Sequence, residues 1–168
     1  RLGRNMEVIT QHSLNRATDE AVRLWALASA QYPAQRHLIL DVVAASVIEA
    51  TSNFALNARR AMEILPRNDK FPLVQHRWNW APTVQGEMVQ DLWDALNRII
   101  HAKKLRVGFE KLPSKISVIE GGAVVVPYIQ AATDRKELAF IDLFALAHAY
   151  LYGAYLELVA EKRSGNVH

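Results

Sequence analysis

The sequence predicts an all-α fold: a four-helix up-and-down bundle with a small β-hairpin inserted between the third and fourth long helices. Three observations lead there. Apolar residues recur through four long stretches at the i, i+3, i+4, i+7 spacing of a buried helix face. The stretch from about Arg36 to Leu65 contains neither Gly nor Pro. Only between residues 105 and 132 does the period change.

The first helix follows from Ser13 as N-cap and from Leu14, Ala17, Ala21, Leu24, Trp25 and Ala28 on one face; Tyr32-Pro33 ends it. The second buries Ile39, Val42, Val43, Val47, Ala50, Phe54, Ala58, Ala61 and Leu65. Its other side carries Glu49, Asn53, Asn57, Arg60 and Glu63. Residues 66–83 read as a loop, with Pro66, Pro72 and Pro82 around the polar run Arg67-Asn68-Asp69-Lys70. Thr83 then caps a central helix from about Val84 to Lys104, whose buried face is Met88, Leu92, Leu96 and Ile99.

The hairpin is assigned to Ile116–Ile119 and Ala123–Val126, joined by Glu120-Gly121-Gly122, with Pro127 marking an edge strand or a strand end. The last helix starts at Asp134, which has capping-box spacing to Glu137, or at Asp142, and ends near Arg163. Its apolar segment from Leu138 to Ala160 is long enough to raise a membrane span. Asp142, His148, Gly153 and Glu157 within it point instead to a helix buried on two sides of a soluble bundle. One domain, 1–168, with the hairpin at about 105–132, is the simplest organisation.

The 168 residues are 51% apolar and 22% charged, a globular composition that excludes wholesale disorder. Absence of cysteine removes disulfides, thiolate nucleophiles and thiolate metal sites, and fits a reducing cytoplasm. The opening Arg-Leu-Gly-Arg-Asn-Met has no apolar signal core, so the expected location is cytoplasmic and no membrane partner is expected. Net charge is only +3, but between Arg98 and Lys115 six basic residues face one acidic one. Lys103, Lys104, Arg106 and Lys111 therefore form a candidate nucleic-acid-binding patch. The same run also reads as a solvated helix end complementing the helix dipole.

Candidate chemistry centres on the end of the central helix. Asp94, Asn97 and His101 share its polar side. His101 is a candidate general acid or base, Asn97 a phosphate-positioning group, and Arg98 or Arg60 a cation for charge on phosphorus. The competing reading is a surface His in a last helical turn. His148, in an apolar setting, reads as a hydrogen-bonded core or semi-buried residue; His12, His37 and His168 carry no constellation. No histidine pair has metal-ligand spacing, and no nucleotide loop or nucleophile elbow is present, so neither metal nor cofactor is expected. In the loop, His76-Arg77-Trp78-Asn79-Trp80 reads either as tryptophans folded back to cover the end of the bundle or as a surface that stacks on bases or docks a partner.

Leu96-Asn97-Arg98-Ile99-Ile100-His101-Ala102, late in a helix of a mostly helical chain, resembles the signature of HEPN domains (higher eukaryotes and prokaryotes nucleotide-binding). That signature has an Arg, often followed by a polar residue such as Asn, and then a His after four to six intervening residues. The resemblance implies a helical dimer that interacts with RNA or nucleotide, in some members a metal-independent endoribonuclease of toxin–antitoxin or phage-defence systems. Asn97 and His101 keep their places, but Leu96, Ala95 and Asp94 occupy the three positions open to the Arg. Whether the chain is an enzyme is thus left open. The expectation is absent or weak ribonuclease activity in a homodimer, with a non-catalytic dimerisation or protein-interaction module as the alternative.

Overall fold

The computed structural model describes residues 2–165; Arg1 and His168 lie outside them. Five helical segments and five strands follow the order α1 (Leu2–Ser29), β1 (Tyr32–Pro33), α2 (His37–Met62), β2 (Glu87–Met88), α3 (Leu92–Ile100), β3 (Lys104–Lys111), β4 (Ala123–Ala132), β5 (Ala139–Asp142), α4 (Leu143–Ala149) and α5 (Tyr155–Gly165). A π turn, Tyr150–Ala154, joins α4 to α5 in one continuous rod. With 18% of residues in strands beside 51% in helices, the all-α bundle is overturned: the fold is a mixed sheet covered by helices.

The two long helices form where their apolar spacing predicts, but Ile39 and Val42, expected on the buried face of α2, are exposed because the first turns of α2 extend past the elements that cover the rest of its apolar stripe. Leu14, Ala17, Ala21, Leu24 and Ala28 of α1 are buried, as are Val43, Val47, Ala50, Phe54, Ala58 and Ala61 of α2. Ser13 is a buried residue inside α1 and caps nothing. Two helical stretches, His37–Met62 and Leu143–Ser164, are long and apolar enough to cross a membrane by length and composition. In this fold the buried side of each packs on α1 and the sheet, while Leu38 and Val42 on the first and Tyr152 and Leu156 on the second stay exposed.

Three segments account for the difference in class. Residues 84–91 are not helical, because Glu87 and Met88 pair in parallel with Ala139 and Phe140 and because Asp91, not Thr83, caps α3 by accepting from Asp94 N–H. The basic run after α3 is a strand: Leu105, Val107 and Phe109 alternate inward toward the helices, with Lys104, Arg106 and Gly108 on the other side. Residues 139–142 form β5, and Asp142, not Asp134, begins the last helix by accepting from Ala145 N–H.

The hairpin exists but with other strands, β3 and β4, in antiparallel register from Lys104↔Ala132 to Lys111↔Val124. Ile116 and Val118, expected in its first strand, are exposed in the connection. Gly121 and Gly122 make the turn into β4 at φ +88° and +104°, angles that suit glycine. Pro127 sits in mid-strand, where the register shifts between Gly108 and Glu110. A bulge is the one interior position where a missing N–H breaks no ladder bond.

Along one edge of β4 runs β3; the other edge holds β1 at Ala123–Val124 and β5 at residues 128–131. Ile129, Ala131, Ala139 and Ile141 face the helices and join the main core. Tyr128, Gln130, Phe140 and Asp142 alternate onto the opposite face, which the 74–86 strap crosses.

Candidate functional site

The end of α3 holds the residues expected to act on phosphate. His101 is its C-cap, exposed, with its N–H donated to the Asn97 carbonyl. Arg98 is only 11% exposed: its guanidinium bonds Glu87 at 2.5 Å and approaches Asp94 at 3.4 Å. Burial alone would lower its pKa, but the two carboxylates outweigh it and hold the group above its ordinary value. Both of its charge partners are thus already in place. Asn97 Oδ1 is sealed from solvent without a hydrogen-bond partner. Arg60 is exposed on α2; its neighbour Arg59 lies over the Trp93 ring at 5.7 Å.

Strand alternation divides the basic run. Lys104 and Arg106 project from the outer face, opposite Ala132 and Gln130, whereas Lys111 belongs to the other parity at the strand's end. Lys103 is ion-paired with Asp134. Among the described residues no carboxylate lies within ion-pair distance of Lys104, Arg106 or Lys111, and all three are exposed. Glu110, opposite Val125, is the acid at the far end of that row.

Beside Lys104 and Arg106 the outer face is aromatic. Trp80 stacks on Tyr128 with ring centres 4.3 Å apart, and Tyr128 meets Phe140 edge-on at 5.5 Å. Tyr128 also lies across Gly108, its partner on β3, where a Cβ would meet the ring at 2.3 Å. Trp78 donates to the Ala28 carbonyl at 2.7 Å and packs on Leu112, Ala123 and Val125. The strap tryptophans therefore fold back, over a sheet face.

At the edge of this face a buried carboxylate gathers three donors. Asp142, 3% exposed, takes His76 Nδ1 and Trp80 Nε1 on Oδ2, each at 2.7 Å, and the Ala145 N–H on Oδ1 at 2.8 Å. The His76 side chain is 44% exposed. No family model matches the chain, nor does any curated protein or solved structure. Its chemistry must be argued from these side chains.

The His76–Asp142 pair escapes sequence reasoning because 66 positions separate its members. The visible signals were the His-Arg-Trp-Asn-Trp cluster and an Asp at the border of an apolar stretch. His148 sits half-buried in a stack with Tyr152 at 4.5 Å, beside Trp25 and Phe144, and burial lowers its pKa. No group of three His, Cys, Asp or Glu suited to a metal occurs among the described residues.

Proposed function

We propose that the chain is a HEPN-like, cytoplasmic RNA-interacting protein of the toxin–antitoxin or phage-defence kind, with absent or weak metal-independent ribonuclease activity. Lys104 and Arg106 carry this reading: two exposed cations, without carboxylate partners among the described residues, on the outer sheet face beside Gln130 and the half-buried Trp80. Cations tracking a backbone beside aromatic rings are the usual means of holding single-stranded nucleic acid. Arg98 supports the weak or absent activity, because its guanidinium is taken by Glu87 and Asp94.

The test is RNA affinity across a salt series. Each phosphate contact on a single strand contributes about 0.7 to the slope of log K against log salt, so Lys104→Ala/Arg106→Ala should flatten that slope by about 1.4. An unchanged slope and affinity would remove the reading. A second reading, a non-catalytic dimerisation module, is favoured by Leu38, Ile39 and Val42, an apolar group exposed at the start of α2.

A further inference from the structure

We propose that His76, oriented by Asp142, is a general base for RNA phosphodiester cleavage on the outer sheet face, a centre separate from the α3 end. The inference rests on the reading that this face binds RNA. Its geometric basis is the pair itself. An ionised carboxylate only accepts, so the shared hydrogen sits on Nδ1 and neutral His76 keeps its lone pair on Nε2. Among the described residues that nitrogen has no hydrogen-bond partner, and the side chain is 44% exposed. Asp142 cannot turn away, since Trp80 Nε1 and the Ala145 N–H hold the same carboxylate. Its fixed negative charge, 2.7 Å from the ring, would stabilise the imidazolium formed when Nε2 takes a proton. Trp80 already anchors the strap, by its indole N–H and by stacking on Tyr128. An anchor alone does not call for a second, half-exposed titratable partner.

Register puts the cations within reach. Asp142 stands opposite Tyr128, and Tyr128 opposite Gly108; Arg106 lies two residues along β3 on the same face, opposite Gln130. Arg106 and Asp142 are thus two strand spacings apart, about 10 Å, and offset by about 7 Å along the strands. A short oligonucleotide with a phosphate on Arg106 or Lys104 can extend past Trp80, which covers Tyr128, to His76.

In the step itself, Nε2 takes the proton of a ribose 2′-hydroxyl. The 2′-oxygen forms a bond to the adjacent phosphorus, and the bond from phosphorus to the 5′-oxygen breaks with its electron pair on that oxygen. The departing oxygen takes a proton from water, and the imidazolium returns its own to the hydroxide left behind. The products are a 2′,3′-cyclic phosphate and a 5′-hydroxyl, without redox change or co-reactant. With one histidine and no buried cation on the phosphorus, the expected rate is modest.

The experiment incubates the full chain with a labelled single-stranded oligoribonucleotide in EDTA, reading binding and cleavage in parallel. His76→Gln should bind RNA as the unaltered chain does but cleave about 100-fold more slowly; exposed His12→Ala is the control. Added imidazole should restore cleavage to His76→Gly, which a merely structural role would not allow. Cleavage retained in His76→Gln, lost only in His101→Ala, or lost from His76→Gly without imidazole rescue overturns the proposal. Bound RNA that is never cut also overturns it and leaves the RNA-binding reading standing, whereas absence of binding removes both.

Discussion

Tyr150 shows how one buried hydroxyl couples the π turn to the core. Its ring is fully buried and edge-on to Phe54 at 5.3 Å; its hydroxyl lies 3.1 Å from Thr18 Oγ1 and donates to the Leu14 carbonyl at 3.3 Å. Burial pushes the phenol up to about 12, against a smaller opposing effect of the Thr18 hydrogen bond. The folded chain keeps this proton up to about pH 12, while the unfolded chain releases it near 10. The resulting stability is complete below pH 10 and lost as pH rises from 10 to 12, on the order of 2–3 kcal/mol. Tyr150→Phe should cost about 1 kcal/mol at neutral pH, because the Leu14 carbonyl still accepts from Thr18. It should also flatten the dependence between pH 10 and 12. Urea midpoints collected against pH for both proteins check the pair of effects; an unaltered alkaline slope would mean that other groups set it.

Among the elements, the β3–β4 ladder depends on one missing side chain. A Cβ on Gly108 would sit 2.3 Å from the Tyr128 ring, which lies beneath Trp80 and cannot move outward freely. Gly108→Ala should therefore destabilise by about 1–3 kcal/mol. Because Trp80 is stacked on the displaced ring, it should also loosen the 74–86 strap, seen as faster limited proteolysis there. The same ladder explains what the sequence concealed. Helices α1 and α2 were legible because each buries a single stripe, so Leu14 to Ala28 and Val43 to Ala61 repeat at helical spacing. In β3 the inward Leu105, Val107 and Phe109 have the period of a strand, but Lys103, Lys104, Arg106 and Lys111 around them read as a charge run. Buried on both faces, β5 has no alternation to read and merges with α4 into one apolar stretch. Of the site, His101, Asn97 and the basic residues were visible as types. Arg98's engagement by Glu87 depends on β2, and the His76–Asp142 contact on a strap crossing a sheet; neither follows from local spacing.

For the whole molecule, the open question is what meets the outer side of α2. Leu38, Val42, Leu56 and Ile39 are 77%, 59%, 43% and 42% exposed, although the opposite stripe of the same helix is sealed against α1 and α3. Leu38, Ile39 and Val42, grouped at the start of the most apolar long helix, gain free energy from a second apolar surface, roughly 25 cal/mol per Å² removed from water. In the proposed dimerisation reading, another copy of the chain supplies that surface. Self-association makes melting temperature rise with protein concentration, since the dimer is favoured by mass action. Leu38→Lys/Val42→Lys should leave the core untouched, sediment as a monomer and lose that concentration dependence. Because His37–Met62 also has the length and hydropathy of a membrane span, vesicle flotation belongs in the same comparison. Concentration-dependent melting without flotation favours the dimer; flotation abolished by the lysines would assign the group to lipid; neither would leave α2 without a partner and remove the dimer from the proposal.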